Sequence, residues 1–171
     1  AAIILSANGQ TDYIIAISKD AIAAERTAAS ELQKYLKSIT GATFEIISEE
    51  NVESNMKKIV IGPNGLFSRQ FPDIELEDLR RDGIVMKTVN NDLYLAGGRP
   101  RGTLYAVYTF LEEVVGCRWW TSSESFIPRK SELSIAALDK IYVPQLEYRE
   151  GFYLDVIANG DFATRLKSNG H

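Results

Sequence analysis

The chain has 171 residues, 45% of them apolar and 25% charged, with a formal net charge of −4, the balance of a soluble globule of one domain or slightly more. Its lysines and arginines are scattered, which leaves no electrostatic footprint for nucleic acid, and no apolar run approaches membrane-spanning length. A single cysteine, Cys117, and a single histidine, His171 at the end of the chain, exclude an internal disulfide and a cysteine-cluster metal site, and leave a Ser-His-Asp site without a firmly held base.

Two short apolar runs, 2–6 and 13–17, flank Asn8-Gly9, a pair that favours a tight reversal, so they read as a β-hairpin. A helix is predicted over 20–40. Ile22, Ala24, Ala28, Leu32, Tyr35, Leu36 and Ile39 form its buried stripe, and Glu25, Arg26, Ser30, Glu31, Lys34 and Lys37 its wet side. Asp20 suits its N-cap and Gly41 its stop. Residues 44–47 and 58–61 read as strands, the second ending in the turn Gly62-Pro63-Asn64. Residues 65–81 read as a surface loop with a short helical turn, and 84–88 with 93–96 as a second hairpin.

The stretch from Gly97 to Trp120, GGRPRGTLYAVYTFLEEVVGCRWW, reads as a glycine-rich turn, an apolar helix, a glycine stop at Gly116 and a strand. Leu104, Val107, Tyr108, Leu111, Val114 and Val115 lie on one helical stripe. Tyr105, Ala106 and Phe110 widen it, which leaves Thr109, Glu112 and Glu113 for water, with Pro100 in the first turn. A helix this apolar needs cover on more than one side. Further short strands are expected at 134–135 and 141–143. The order predicts an α+β fold, a mixed sheet with two main helices packed on one face, over residues 1–144. Residues 145–171 carry one more strand (146–155) and helix (161–168). A single such pair cannot close its own core, so these residues read as the start of a second domain.

Few residues in this chain suggest chemistry. Gly97, Gly98, Arg101 and Gly102 stand between a strand and a helix N-terminus, where amides and arginines could hold an anion. Their spacing matches neither the P-loop nor the dinucleotide fingerprint, no cofactor is implied, and close helix–sheet contact explains the glycines better. Trp119 and Trp120 must point to opposite faces of their strand, one into the core and one outward to cover a neighbouring domain or stack on a sugar. Glu112 and Glu113 diverge on the helix and cannot share a substrate. Cys117 reads as an inert core thiol, which makes a Cys117–His171 enzyme a weak reading. Arg149 and Asp155 are the best polar candidates in the unfinished unit.

Three blocks, AASELQKYLKSITGA, KKIVIGPN and GGRPRGTLYAVYTFLEEVVGCRWW, together resemble the small α+β module that precedes the (β/α)8 barrel in family-20 β-hexosaminidases and family-67 α-glucuronidases. The nearest likeness is to related glycoside-hydrolase-like proteins of gut bacteria. The resemblance implies a non-catalytic accessory domain of a secreted or periplasmic, polysaccharide-degrading enzyme. Its partner would be the catalytic barrel of its own chain, truncated here after the first βα unit. The resemblance also implies no metal and no cofactor in the module, since the barrel's carboxylates carry the chemistry. LEYREGFYLD resembles the first barrel strand, where hexosaminidases place a sugar-contacting arginine in an R-G-x-x-x-D pattern. Arg149 matches it, with Glu150 intervening before Gly151, and Asp155 would be a supporting residue. The rival reading is a carbohydrate-binding module that uses the outward tryptophan. The N-terminus lacks the basic and apolar regions of a signal peptide, as a trimmed secreted chain also would.

Overall fold

The computed structural model of the chain describes residues 2–79, 83–119 and 125–143. The strand and helix expected within 145–171, and with them Arg149, Asp155 and Trp120, lie outside the described residues.

Apolar residues alternating along several strands build one mixed sheet. Its strands are β2 (Tyr13–Ile17), β3 (Glu45–Ser48), β4 (Lys57–Ile61), β5 (Ile84–Val89), β6 (Asp92–Gly97) and β10 (Asp139–Tyr142), in the order β10-β5-β6-β4-β2-β3. β3, β2, β4 and β6 run parallel, β5 pairs antiparallel with β6, and β10 pairs antiparallel with β5. Tyr13, Ile15, Ile59, Ile61, Leu93, Leu95, Ile84 and Met86 point to one face, where they join the core beneath two helices. Val60, Tyr94, Ala96 and Val85 point to the other. Those helices, α1 (Ala23–Thr40) and α3 (Gly102–Thr109), pack on the sheet and on each other, as the sequence predicts.

The expected N-terminal hairpin does not form. Asn8 and Gly9 do adopt the positive φ of a tight reversal, closed by Ala7 and Gln10. Thr11 then donates its hydroxyl to the Leu5 carbonyl and accepts the Tyr13 N–H, and this side-chain turn ends the pairing. β1 (Ile3–Ala7) leaves to pair with β9 (Glu132–Ile135), and β2 enters the sheet between β4 and β3. The near-continuous apolar run Tyr-Ile-Ile-Ala-Ile is that of a strand with neighbours on both edges, not of a hairpin arm.

Other boundaries shift for local reasons. The α1 cap is Ile22, not Asp20. The Glu25 carboxylate, three residues on, accepts the Ile22 N–H and supplies the missing partner. Gly41 ends α1 at φ +80°. Pro100 sits in the turn ahead of α3, after a cis peptide, and Arg101 is the cap. Past Thr109 the helix widens into a π-helical turn, Phe110–Val115, and Gly116, at φ +107°, returns its N–H to Leu111. The regular 3.6-residue stripe fails across this turn. Thr109 and Phe110 are buried while Leu104 and Val114 are only partly so.

Residues 65–79 are more than a surface loop. α2 (Gly65–Gln70) and the turns after it place Phe67, Phe71 and Leu79 over Val60, Val85 and Tyr94, which closes the second face of the sheet. The acidic residues Asp73, Glu75, Glu77 and Asp78 stay exposed. A two-stranded ribbon of β7 (Arg118–Trp119) and β8 (Ser125–Phe126) completes the described structure. Among the described residues no helix is long and apolar enough to cross a membrane.

Candidate functional site

Ligands of open parallel sheets bind outside the carboxyl ends of the strands, so the ends of β4 and β6 are the first place to look. Here the groups at those ends contact one another. Gly97, Gly102 and Gly83 meet backbone to backbone: a Cβ on Gly97 would lie 2.5 Å from the Gly83 carbonyl oxygen, and one on Gly102 would lie 2.6 Å from the same atom. Gly98 donates its N–H to that oxygen, and Gly97 donates to the Thr103 hydroxyl. Arg99, the next residue, reaches across to α1, where its Nε and Nη2 contact the Glu25 carboxylate at 2.9 and 3.3 Å. Glu25 is 2% exposed and lies against Gly62 at the end of β4. Its hydrogen bond to Arg99 raises the guanidinium above its ordinary pKa although burial opposes the shift. The charge expected to attract an anion is thus matched inside the protein. Arg101, partly exposed, is the helix cap.

A second polar group lies between α1 and α3. Glu31, which the helical pattern places in water, is buried; it accepts the Tyr108 hydroxyl proton and lies 3.3 Å from Lys34. Trp119 packs edge-to-face with both Tyr35 and Tyr108, at centroid distances of 5.7 and 5.6 Å. At 4% exposure Trp119 is the core-facing member of the pair and offers no open ring for a sugar to stack on. Cys117 is fully buried, and burial pushes its thiol up to about 12, far from a nucleophile's range. Glu112 and Glu113 lie in the π-helical turn. Among the described residues no three His, Cys, Asp or Glu side chains gather as a metal set.

An opening lies elsewhere. A groove of about 510 Å³ runs between the π-helical turn and β10, lined by Ile84 and Met86 of β5, Thr109 and Glu113, and all four residues of β10, Asp139 to Tyr142. Sequence reading missed it because it arises where the antiparallel strand β10, far along the chain, is added beside β5.

Residues 7–110 match the family described as Glycosyl hydrolase family 67 N-terminus. The chain belongs to this family. Among solved structures the fold is similar to part of a GH115 4-O-methyl-α-glucuronidase, BtGH115A, described as specific for decorated arabinogalactans. The match has a TM-score of 0.60 at 19% identity and covers 85% of this chain but 19% of that one. At that identity the likeness is one of fold. A looser similarity, TM-score 0.49 at 10% identity, links 80% of the chain to 21% of CpGH84D. No curated protein matches the sequence.

Proposed function

We propose that this glycosyl hydrolase family 67 N-terminal domain is a non-catalytic accessory module that packs against and supports a catalytic barrel following it in the same polypeptide. The observation that carries this reading is that the charged groups at the strand ends are matched within the domain. Where an open sheet would receive a substrate, Glu25 and Arg99 satisfy each other and three glycines abut backbone to backbone. The reacting carboxylates of a retaining or inverting glycosidase must face each other about 5–10 Å apart across a sugar. Among the described residues, the buried acids Glu25 and Glu31 are each occupied by an internal donor.

On the same reading residues 145–171 open the barrel, with Arg149 on its first strand and Asp155 at the strand's exit. The parent enzyme would be a secreted or periplasmic polysaccharide-degrading glycoside hydrolase. The test is turnover of aryl-glycosides by the purified 171-residue chain beside the longer polypeptide. Hydrolysis is expected from the longer polypeptide alone, and turnover by the 171-residue chain overturns the reading. Calorimetry with oligosaccharides addresses the carbohydrate-binding alternative: heat of binding that vanishes in Trp120→Ala would favour it.

A further inference from the structure

We infer that the Asn8-Gly9 turn is a site of spontaneous covalent modification, at which Asn8 loses ammonia and becomes aspartate or isoaspartate. The chemistry needs an Asn-Gly step, base and water. The Gly9 nitrogen, deprotonated by base, attacks Cγ of the Asn8 carboxamide. The N–Cγ bond forms, the Cγ–Nδ2 bond breaks, and ammonia leaves with a proton taken from solvent. Water then opens the five-membered imide at either carbonyl, and nothing is oxidised or reduced. Opening at Cγ gives aspartate. Opening at the backbone carbonyl gives isoaspartate, whose main chain runs through Cβ and Cγ and is one atom longer. Glycine favours the attack because no side chain shields its nitrogen.

Among the described residues there are two Asn-Gly steps, Asn8-Gly9 and Asn64-Gly65, and the fold treats them oppositely. Asn64 is 6% exposed. Its Oδ1 accepts the Phe67 N–H at 3.0 Å, and its Nδ2 donates to the Ile61 carbonyl at 3.5 Å. The nucleophile is committed too, since Gly65 donates its N–H to the Glu49 carboxylate at 3.0 Å. Asn8 and Gly9 are instead exposed at the tip of their turn, at φ +53° and +78°. Among the described residues neither the Asn8 carboxamide nor the Gly9 N–H has a hydrogen-bond partner. A cavity of about 330 Å³, lined in part by Asn8, Gln10 and Asp12, opens beside the turn and admits the water that the second step consumes. The turn must open for the ring to close, and an exposed loop tip opens at small cost. The same turn bounds β1. Asn8 donates its backbone N–H to the Ser131 carbonyl at 2.7 Å, and Ala7 and Gln10 close the reversal. The extra main-chain atom of isoaspartate therefore falls where β1 meets β9 and loosens that pairing. Aspartate, which tolerates the left-handed region, leaves the turn intact.

The experiment is peptide mapping by mass spectrometry of the 171-residue chain aged in mildly alkaline buffer, folded and in guanidinium chloride. Each Asn-Gly step reports its own amide-to-acid mass gain; those at 159 and 169 lie outside the described residues and fall in separate peptides. In denaturant Asn8 and Asn64 are expected to convert at similar rates. In the folded protein Asn64 is expected to slow on the order of 100-fold, because three hydrogen bonds must first break, and Asn8 by less than about tenfold. Asn8→Gly, with a residue at ease at positive φ, is expected to abolish conversion in that peptide alone. Amide hydrogen exchange in β1 and β9 is expected to quicken in the aged protein, with β4 and β6 unchanged. Neither aged Asn8→Gly nor fresh Asn8→Asp, which has the charge without the added atom, is expected to show that change. Equal suppression at both sites in the folded protein, or faster conversion at Asn64, overturns the inference. Unaltered exchange in β1 after conversion to isoaspartate overturns the coupling of the turn to β1.

Discussion

Replacing Arg99 with alanine should cost more than neutralising its partner Glu25, although both changes delete the same ion pair. The Glu25 carboxylate is 2% exposed and receives three hydrogen bonds, two from Arg99 and one from the Ile22 amide. Arg99→Ala leaves a buried charge with the amide alone. Breaking a buried pair from one side costs about 3–5 kcal/mol. The Arg99 side chain is 42% exposed, so water reaches the vacated site and the expected loss falls to about 2–3 kcal/mol. For a domain of this length that lowers Tm by ~6–10 °C. Glu25→Gln keeps an acceptor for the Ile22 amide and leaves a guanidinium that water can solvate, an expected loss of about 1 kcal/mol. The double variant should then be more stable than Arg99→Ala alone, because a neutral amide tolerates burial without a cation. Urea unfolding of the four proteins measures the cycle. Strictly additive losses, or an Arg99→Ala variant as stable as the parent, would refute the reasoning.

Gly97→Ala should destabilise by about 3 kcal/mol or more, seen as a lower urea midpoint, because the added methyl meets backbone at the junction with Gly83 and Gly102. Tyr108→Phe removes a buried donor to Glu31 and should cost about 1–2 kcal/mol by the same titration, less if Lys34 compensates. Stability should be flat near neutral pH and fall between about pH 9 and 12. The Cys117 thiol and the Tyr13 hydroxyl are both raised to about 12 in the fold, chiefly by burial, and the unfolded chain releases these protons first. Denaturant titrations across that range check it, with Cys117→Ala expected to shallow the decline. In the folded protein at pH 7 Cys117 should resist alkylation by iodoacetamide.

Local signals in the sequence located most elements. Gly41 and Gly116 mark helix ends where a left-handed residue is needed, and Asn90-Asn91 marks the β5–β6 turn, with Asn90 at φ +57°. Alternating and helical periods identified the strands and both long helices, since side-chain direction repeats with the backbone. Two errors shared one cause. Glu25 and Glu31 lie on the polar side of the α1 pattern, yet both are buried, because α3 crosses that flank of α1 and brings Arg99 and Tyr108 as partners. No period in a single helix reports a partner that lies 74 or 77 residues away.

By itself the sequence determined the long helices and most strands of the sheet, that glycines must permit a close turn after residue 96, and the resemblance to glycoside-hydrolase accessory modules. Only the tertiary structure decided that β1 pairs with β9 instead of β2, that residues 65–79 close the second face of the sheet, and that β10 joins β5 beside a groove. The division has a physical reason. Backbone preference and side-chain period act over a few residues and are written in neighbouring letters. Strand order and the burial of a charge depend on which distant surfaces meet, and that is settled by the free energy of the whole core.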